Sequence, residues 1–84
     1  MPEKLTVDLH AVFRNERDIT NKVRQAIFRA AREKVPLVEI IPGKGSGKLR
    51  NHVIAMLRQP QIKKLYRRME IAPGNEGVVL VHFG

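Results

Sequence analysis

Residues 37–57 read LVEIIPGKGSGKLRNHVIAML, a strand, a glycine turn and a helix in immediate succession. Leu37 to Ile41 is a short, mostly apolar run that suits an interior strand. Pro42 to Gly47 breaks it with three glycines at alternate positions. Leu49, Val53, Met56 and Leu57 then recur at helical spacing, and Pro60 is expected to close that helix. Upstream, Ile19, Val23, Ile27, Ala30 and Ala31 form the apolar stripe of an earlier helix. Asp18 is its expected N-cap and Pro36 its stop. Phe28 stands beside that stripe, either flanking the core or partly exposed. Before it, past a polar connection at 14–17, Leu5 to Leu9 (LTVDL) alternates apolar and polar residues as a strand does.

Downstream, Ile62 to Ile71 fits a helix through Ile62, Leu65, Tyr66 and Met69, and a strand through Leu65, Met69 and Ile71. A brief helical start followed by a strand reconciles the two. The turn-rich Pro73 to Gly77 leads into Val78 to Phe83 (VVLVHF), so a hairpin is the economical ending. The order is βαβαββ, an α/β chain with two helices. Two strand–helix steps in succession predict a parallel pair with right-handed crossovers. At 84 residues the chain is expected to be one domain, its core spanning about 5–83.

Composition narrows the function. With no cysteine, neither a disulfide framework nor a thiolate metal site is possible. The opening MPEKLTVDLH holds no apolar run fit for a signal peptide, and nothing approaches a membrane span, so the expected location is cytoplasmic. The net charge is +8 and lies in one place. Between Glu39 and Glu70 there is no acid, only Lys44, Lys48, Arg50, Arg58, Lys63, Lys64, Arg67 and Arg68. Elsewhere bases and acids cancel. A field of one sign attracts polyanions, and the expectation is a basic surface running from the glycine loop through residue 68. The bland alternative is a solvated, solubilising face.

In the loop, glycines permit sharp turns and bring backbone N–H groups close to a ligand. The following helix adds unsatisfied donors and a positive dipole end. Gly43, Lys44, Gly45, Ser46, Gly47, Lys48 and Arg50 are therefore the candidate phosphate-binding residues; the alternative is a purely structural turn. A nucleotide-binding P-loop is excluded, because it needs Gly where Pro42 stands and Ser or Thr where Leu49 stands. The spacing is also wrong for a dinucleotide fingerprint, so no nucleotide cofactor is expected.

Asp8 and His10 are two apart at the end of the first strand, where strand geometry would put both on one face beside the glycine loop. An Asp can orient a His, and a His can move a proton in phosphodiester cleavage. The alternative is a structural hydrogen bond ending the strand. His52, in the second helix, is expected on the surface, and the facing of His82 is open. Three dispersed histidines give no case for zinc. Aromatics are too few for a stacking platform.

Taken together, VDLH at 7–10, IIPGKGSGKLRNHV at 40–53 and NEGVVLVHF at 75–83 resemble the Smr (small MutS-related) domain family over nearly the whole chain. Its members typically read LDLHG early and HGKGxGxLR in the middle. The resemblance implies a two-layer α/β sandwich like the C-terminal domain of translation initiation factor three, with strand order 1-2-4-3 and one antiparallel strand. It further implies binding of DNA or RNA and, in several relatives, endonucleolytic nicking. Asp8 and His10 would then be the catalytic or substrate-orienting pair, and Gly43, Lys44, Gly45 and Gly47 the phosphate loop. Pro42 stands where many relatives carry His or Thr, and Ala11 replaces the usual Gly. Binding is expected to survive both changes. The functional readings are thus an endonuclease and a non-catalytic module for nucleic acid, including ribosomal RNA or the ribosome. One bare carboxylate is a poor metal cage, so the cofactor reading stays open between a divalent cation and none.

Overall fold

The computed structural model describes residues 3–9, 16–43 and 47–84, Glu16 by its backbone alone. The elements run β1 (Leu5–Asp8), α1 (Glu16–Glu33), β2 (Leu37–Ile41), α2 (Lys48–Leu57), α3 (Pro60–Lys63), β3 (Arg68–Ile71) and β4 (Val79–His82). One four-stranded sheet has the order β1-β2-β4-β3. β1 pairs parallel with β2, while β4 is antiparallel to both β2 and β3. The expected order and the single antiparallel strand are both present.

Strand alternation sorts the side chains between two faces. Val7, Leu9, Val38, Ile40, Val79 and Val81 are buried against Ile19, Val23, Ile27, Val53, Met56, Leu57 and Ile62, making one core between sheet and helices. The other face of the sheet is mostly polar, with Leu37, Ile41 and Leu80 half-buried on it. There the Thr6 hydroxyl donates to Glu39 at 3.3 Å, and Glu70 accepts from Arg68 at 3.1 Å and faces His82 at 3.0 Å. His82 therefore points away from the core.

Three local expectations change. α1 begins at Glu16, so Asp18 lies within its first turn, where its charge favours the dipole without capping the end. Its C-terminus is a Schellman motif: Lys34 is left-handed at φ 58° and the Val35 N–H reaches Ala30 O at 2.9 Å. The helix therefore ends before Pro36 can act on it. Pro60 opens α3 instead of merely closing α2, because its missing N–H costs nothing in a first helical turn. The brief helical start expected from Ile62 is thus a short third helix that begins two residues earlier, fastened by Ile62, which is fully buried.

No helix among the described residues is long and apolar enough to cross a membrane.

Candidate nucleic-acid interface

The parallel pairing of β1 and β2 sets the carboxyl ends of both strands side by side. Asp8 is the register partner of Ile41, and the Leu9 N–H donates to Ile41 O at 3.1 Å. Asp8 is exposed while Val7 and Leu9 on either side are buried, which turns its carboxylate to the open face. His10, its candidate partner, lies outside the described residues.

From Ile41 the chain enters the glycine loop through a buried Pro42. Gly43 has φ 96° and Gly47 has φ 86°, both in the left-handed region that favours glycine. These two residues bound Lys44, Gly45 and Ser46, which lie outside the described residues. Gly47 is the N-cap of α2, and its carbonyl accepts the first helical bond from Asn51 at 2.9 Å. No side chain caps this end and no acid sits in its first turn. The leading N–H groups and the positive end of the dipole are thus left without a carboxylate from the helix itself. Lys48 is exposed at the same turn.

Arg50 has a different place from its neighbours. Its Nη1 donates to the backbone oxygen of Glu76 at 3.2 Å, and its Nε is buried without a hydrogen-bond partner. Gly43 N–H also reaches Gly77 O at 3.3 Å. The connection between β3 and β4 therefore braces both ends of the glycine loop. That connection is itself ordered: Asn75 Oδ1 accepts from Gly77 N–H at 3.0 Å, and Gly74 turns at φ 76°. Nothing local in the sequence signals this brace, since its partners are 26 residues apart or more.

His52 is half-buried, with Nε2 3.0 Å from the Thr20 hydroxyl of α1, and not simply on the surface. It ties the two long helices together one turn beyond the loop. Among the described residues, no three His, Cys, Asp or Glu side chains gather to hold a metal ion.

The basic segment does not form one surface. Arg68 opens β3 opposite His82, which pairs with Leu37 at the start of β2, while Gly43 and Gly47 lie past the end of β2. Five strand residues separate the two places by about 13 Å. Lys48 and Arg50 thus sit at one end of the sheet and Lys63, Lys64, Arg67 and Arg68 at the other. Charges adjacent in sequence are parted because α2 runs back along the sheet between them.

Comparison with known proteins finds similarities over most of the chain. The model of the Smr domain matches residues 7–84. The endonuclease MutS2 of Lachnospira eligens is 46% identical over 50 residues, which is 60% of this chain but 6% of that protein. The crystal structure of the Smr domain of Thermus thermophilus MutS2 shares the fold, with a TM-score of 0.73 and 21% identity over 96% of both chains.

Proposed function

Since this chain belongs to the Smr domain family, we propose that it binds DNA or RNA by the phosphate backbone at the glycine loop and also acts as an endonuclease. One observation carries the binding claim: two left-handed glycines, Gly43 and Gly47, flank a basic loop that leads into an acid-free helix N-terminus. In this reading the backbone N–H groups of the loop and of α2 receive phosphate oxygens, and Lys44 and Lys48 neutralise their charge. Arg50 holds the loop in shape through Glu76 while adding to the local field.

For cleavage, His10 takes a proton from the attacking water as its oxygen bonds to phosphorus, and the P–O bond to the leaving oxygen breaks. That leaving oxygen keeps the electron pair and takes a proton from solvent. Asp8, at the adjacent strand end, orients His10. Two things support this step: the name endonuclease carried by the MutS2 relative, and the place of Asp8 beside the loop. No step is routed through a cation: among the described residues no three His, Cys, Asp or Glu side chains gather to hold one. A non-catalytic module for structured or ribosomal RNA is the second reading, favoured by Pro42 and Ala11 in place of the family's usual residues.

The test uses labelled branched DNA and structured RNA, with and without Mg²⁺, comparing wild type with His10→Ala and Lys44→Ala. Cleavage lost in His10→Ala with binding kept supports the nuclease. Binding without cleavage in every condition leaves the module. Affinity should fall steeply with salt, and Lys44→Ala should flatten the slope by about one unit.

A further inference from the structure

The end of the sheet away from the glycine loop carries a group of exposed cations. Lys34 follows α1, Arg58 caps α2, Lys63 and Lys64 end α3, and Arg67 precedes β3; all five are exposed. Two carboxylates lie in these segments, and both are occupied. Glu33 takes Arg29 at 3.1 Å and Arg32 at 3.7 Å, while Glu70 takes Arg68 at 3.1 Å and His82 at 3.0 Å. Among the described residues no carboxylate is paired with any of the five.

The backbone beneath these cations is pinned. Arg67 N–H donates to His82 O and Phe83 N–H to Pro36 O, both at 2.8 Å. The Tyr66 hydroxyl donates to Leu57 O at 2.7 Å, joining this segment to the end of α2. Cations near helix C-termini also favour the dipole. That accounts for Arg58, but a four-residue α3 has little dipole to offset for Lys63, Lys64 and Arg67.

We infer that Lys34, Arg58, Lys63, Lys64 and Arg67 form a second phosphate-backbone surface, which engages the same nucleic acid as the glycine loop from the opposite end of the sheet. The inference rests on the nucleic-acid reading above for the identity of the polyanion. The chemistry favours a polyphosphate backbone over a protein or membrane partner. Among the described residues the exposed large apolar side chains are Phe28, more than a turn before the end of α1, and Ile71, at the opposite end of β3 from Arg68. A protein interface or a membrane surface would want an apolar anchor there. The separation also constrains the ligand. About 13 Å along the strands corresponds to roughly four base-pair steps of 3.4 Å. A mononucleotide therefore cannot touch both places, whereas a duplex or a folded RNA can.

The experiment measures binding of a labelled DNA duplex and an RNA hairpin across a salt series. It compares wild type, a loop variant (Lys44→Ala with Lys48→Ala), an end variant (Lys63→Ala, Lys64→Ala and Arg67→Ala) and a charge-preserving end variant (Lys63→Arg, Lys64→Arg and Arg67→Lys). Thermal melts confirm that each is folded. The inference expects the end variant to flatten the salt slope by about 2–3 units. It also expects at least a tenfold loss of affinity in that variant, with the charge-preserving variant close to wild type. An end variant that binds like wild type, while the loop variant weakens, overturns the second surface and leaves the loop reading standing. Loss confined to the end variant overturns the loop reading and, with it, the claim that two surfaces share one ligand. A wild-type chain that binds neither ligand overturns both.

Discussion

Arg50 Nη1 and the carbonyl oxygen of Glu76 lie 3.2 Å apart, and this bond ties the first turn of α2 to the connection between β3 and β4. A residue that reads as a phosphate ligand from its place in the glycine motif is thereby also a brace. Arg50→Ala should destabilise the fold by about 1 kcal/mol, the lost charged donor being partly replaced by water. Arg50→Lys should recover little, since an ammonium lacks the guanidinium's fixed fork. Urea unfolding of both variants checks this; equal stability of all three proteins would remove the brace.

Gly47 has φ 86°, and a Cβ there would meet the Arg50 guanidinium at 3.5 Å, an ordinary contact. The penalty of substitution is therefore conformational rather than a clash. Gly47→Ala should cost roughly 1–2 kcal/mol. It should also weaken nucleic-acid binding by re-aiming the loop. Calorimetric or urea melts measure the first effect and a salt titration of binding the second.

Lys34 is the one non-glycine residue with positive φ among the described residues, at the left-handed position of the α1 Schellman motif. Lys34→Gly should raise stability by about 1 kcal/mol. In a domain of this size that is roughly 4–8 °C in Tm. The same substitution removes one cation from the far end of the sheet, so a small loss of nucleic-acid affinity should accompany the gain.

Tyr66 gives a pH dependence. Burial holds its phenol above the ordinary value of 10.0, while the nearby Arg58 charge pulls the other way. The unfolded chain then ionises first. The contribution of Tyr66 is fully present below pH 10.0 and is lost as pH rises from there through the folded-state pKa. Tyr66→Phe should lower stability near neutrality by about 1 kcal/mol, because Leu57 O loses its donor. The fall in stability from about pH 8 to about pH 11 should be smaller in the variant than in wild type, with lysine titration common to both. Urea midpoints at the two pH values provide the measurement.

Much of the fold was legible in sequence because its signals are short-ranged. Alternation in LTVDL, helical spacing from Ile19 to Ala30 and the turn chemistry of Pro73 to Gly77 each depend on residues a few positions apart. Pro60 was legible only in part on that same local scale: α2 ends before it, as expected, but proline also suits the first turn of a helix, and here it opens α3, which Ile62 anchors in the core. For the candidate site, Asp8 and the two bounding glycines sit where the pattern put them. Lys44, Gly45, Ser46 and His10 lie outside the described residues.

By itself, then, the sequence determined the order of the four strands and two long helices, the parallel entry of β1 and β2, the glycine turn and the sum of charge. All of these follow from local backbone preference and composition. Only the tertiary structure decided that the Arg50 guanidinium is turned to Glu76, that His52 meets Thr20, and that His82 faces Glu70 on the open sheet. It alone split the acid-free basic segment between two ends of the sheet. The physical reason is one of distance: a strand or helix of known length carries its ends apart, so charges that adjoin in sequence act on different stretches of a ligand.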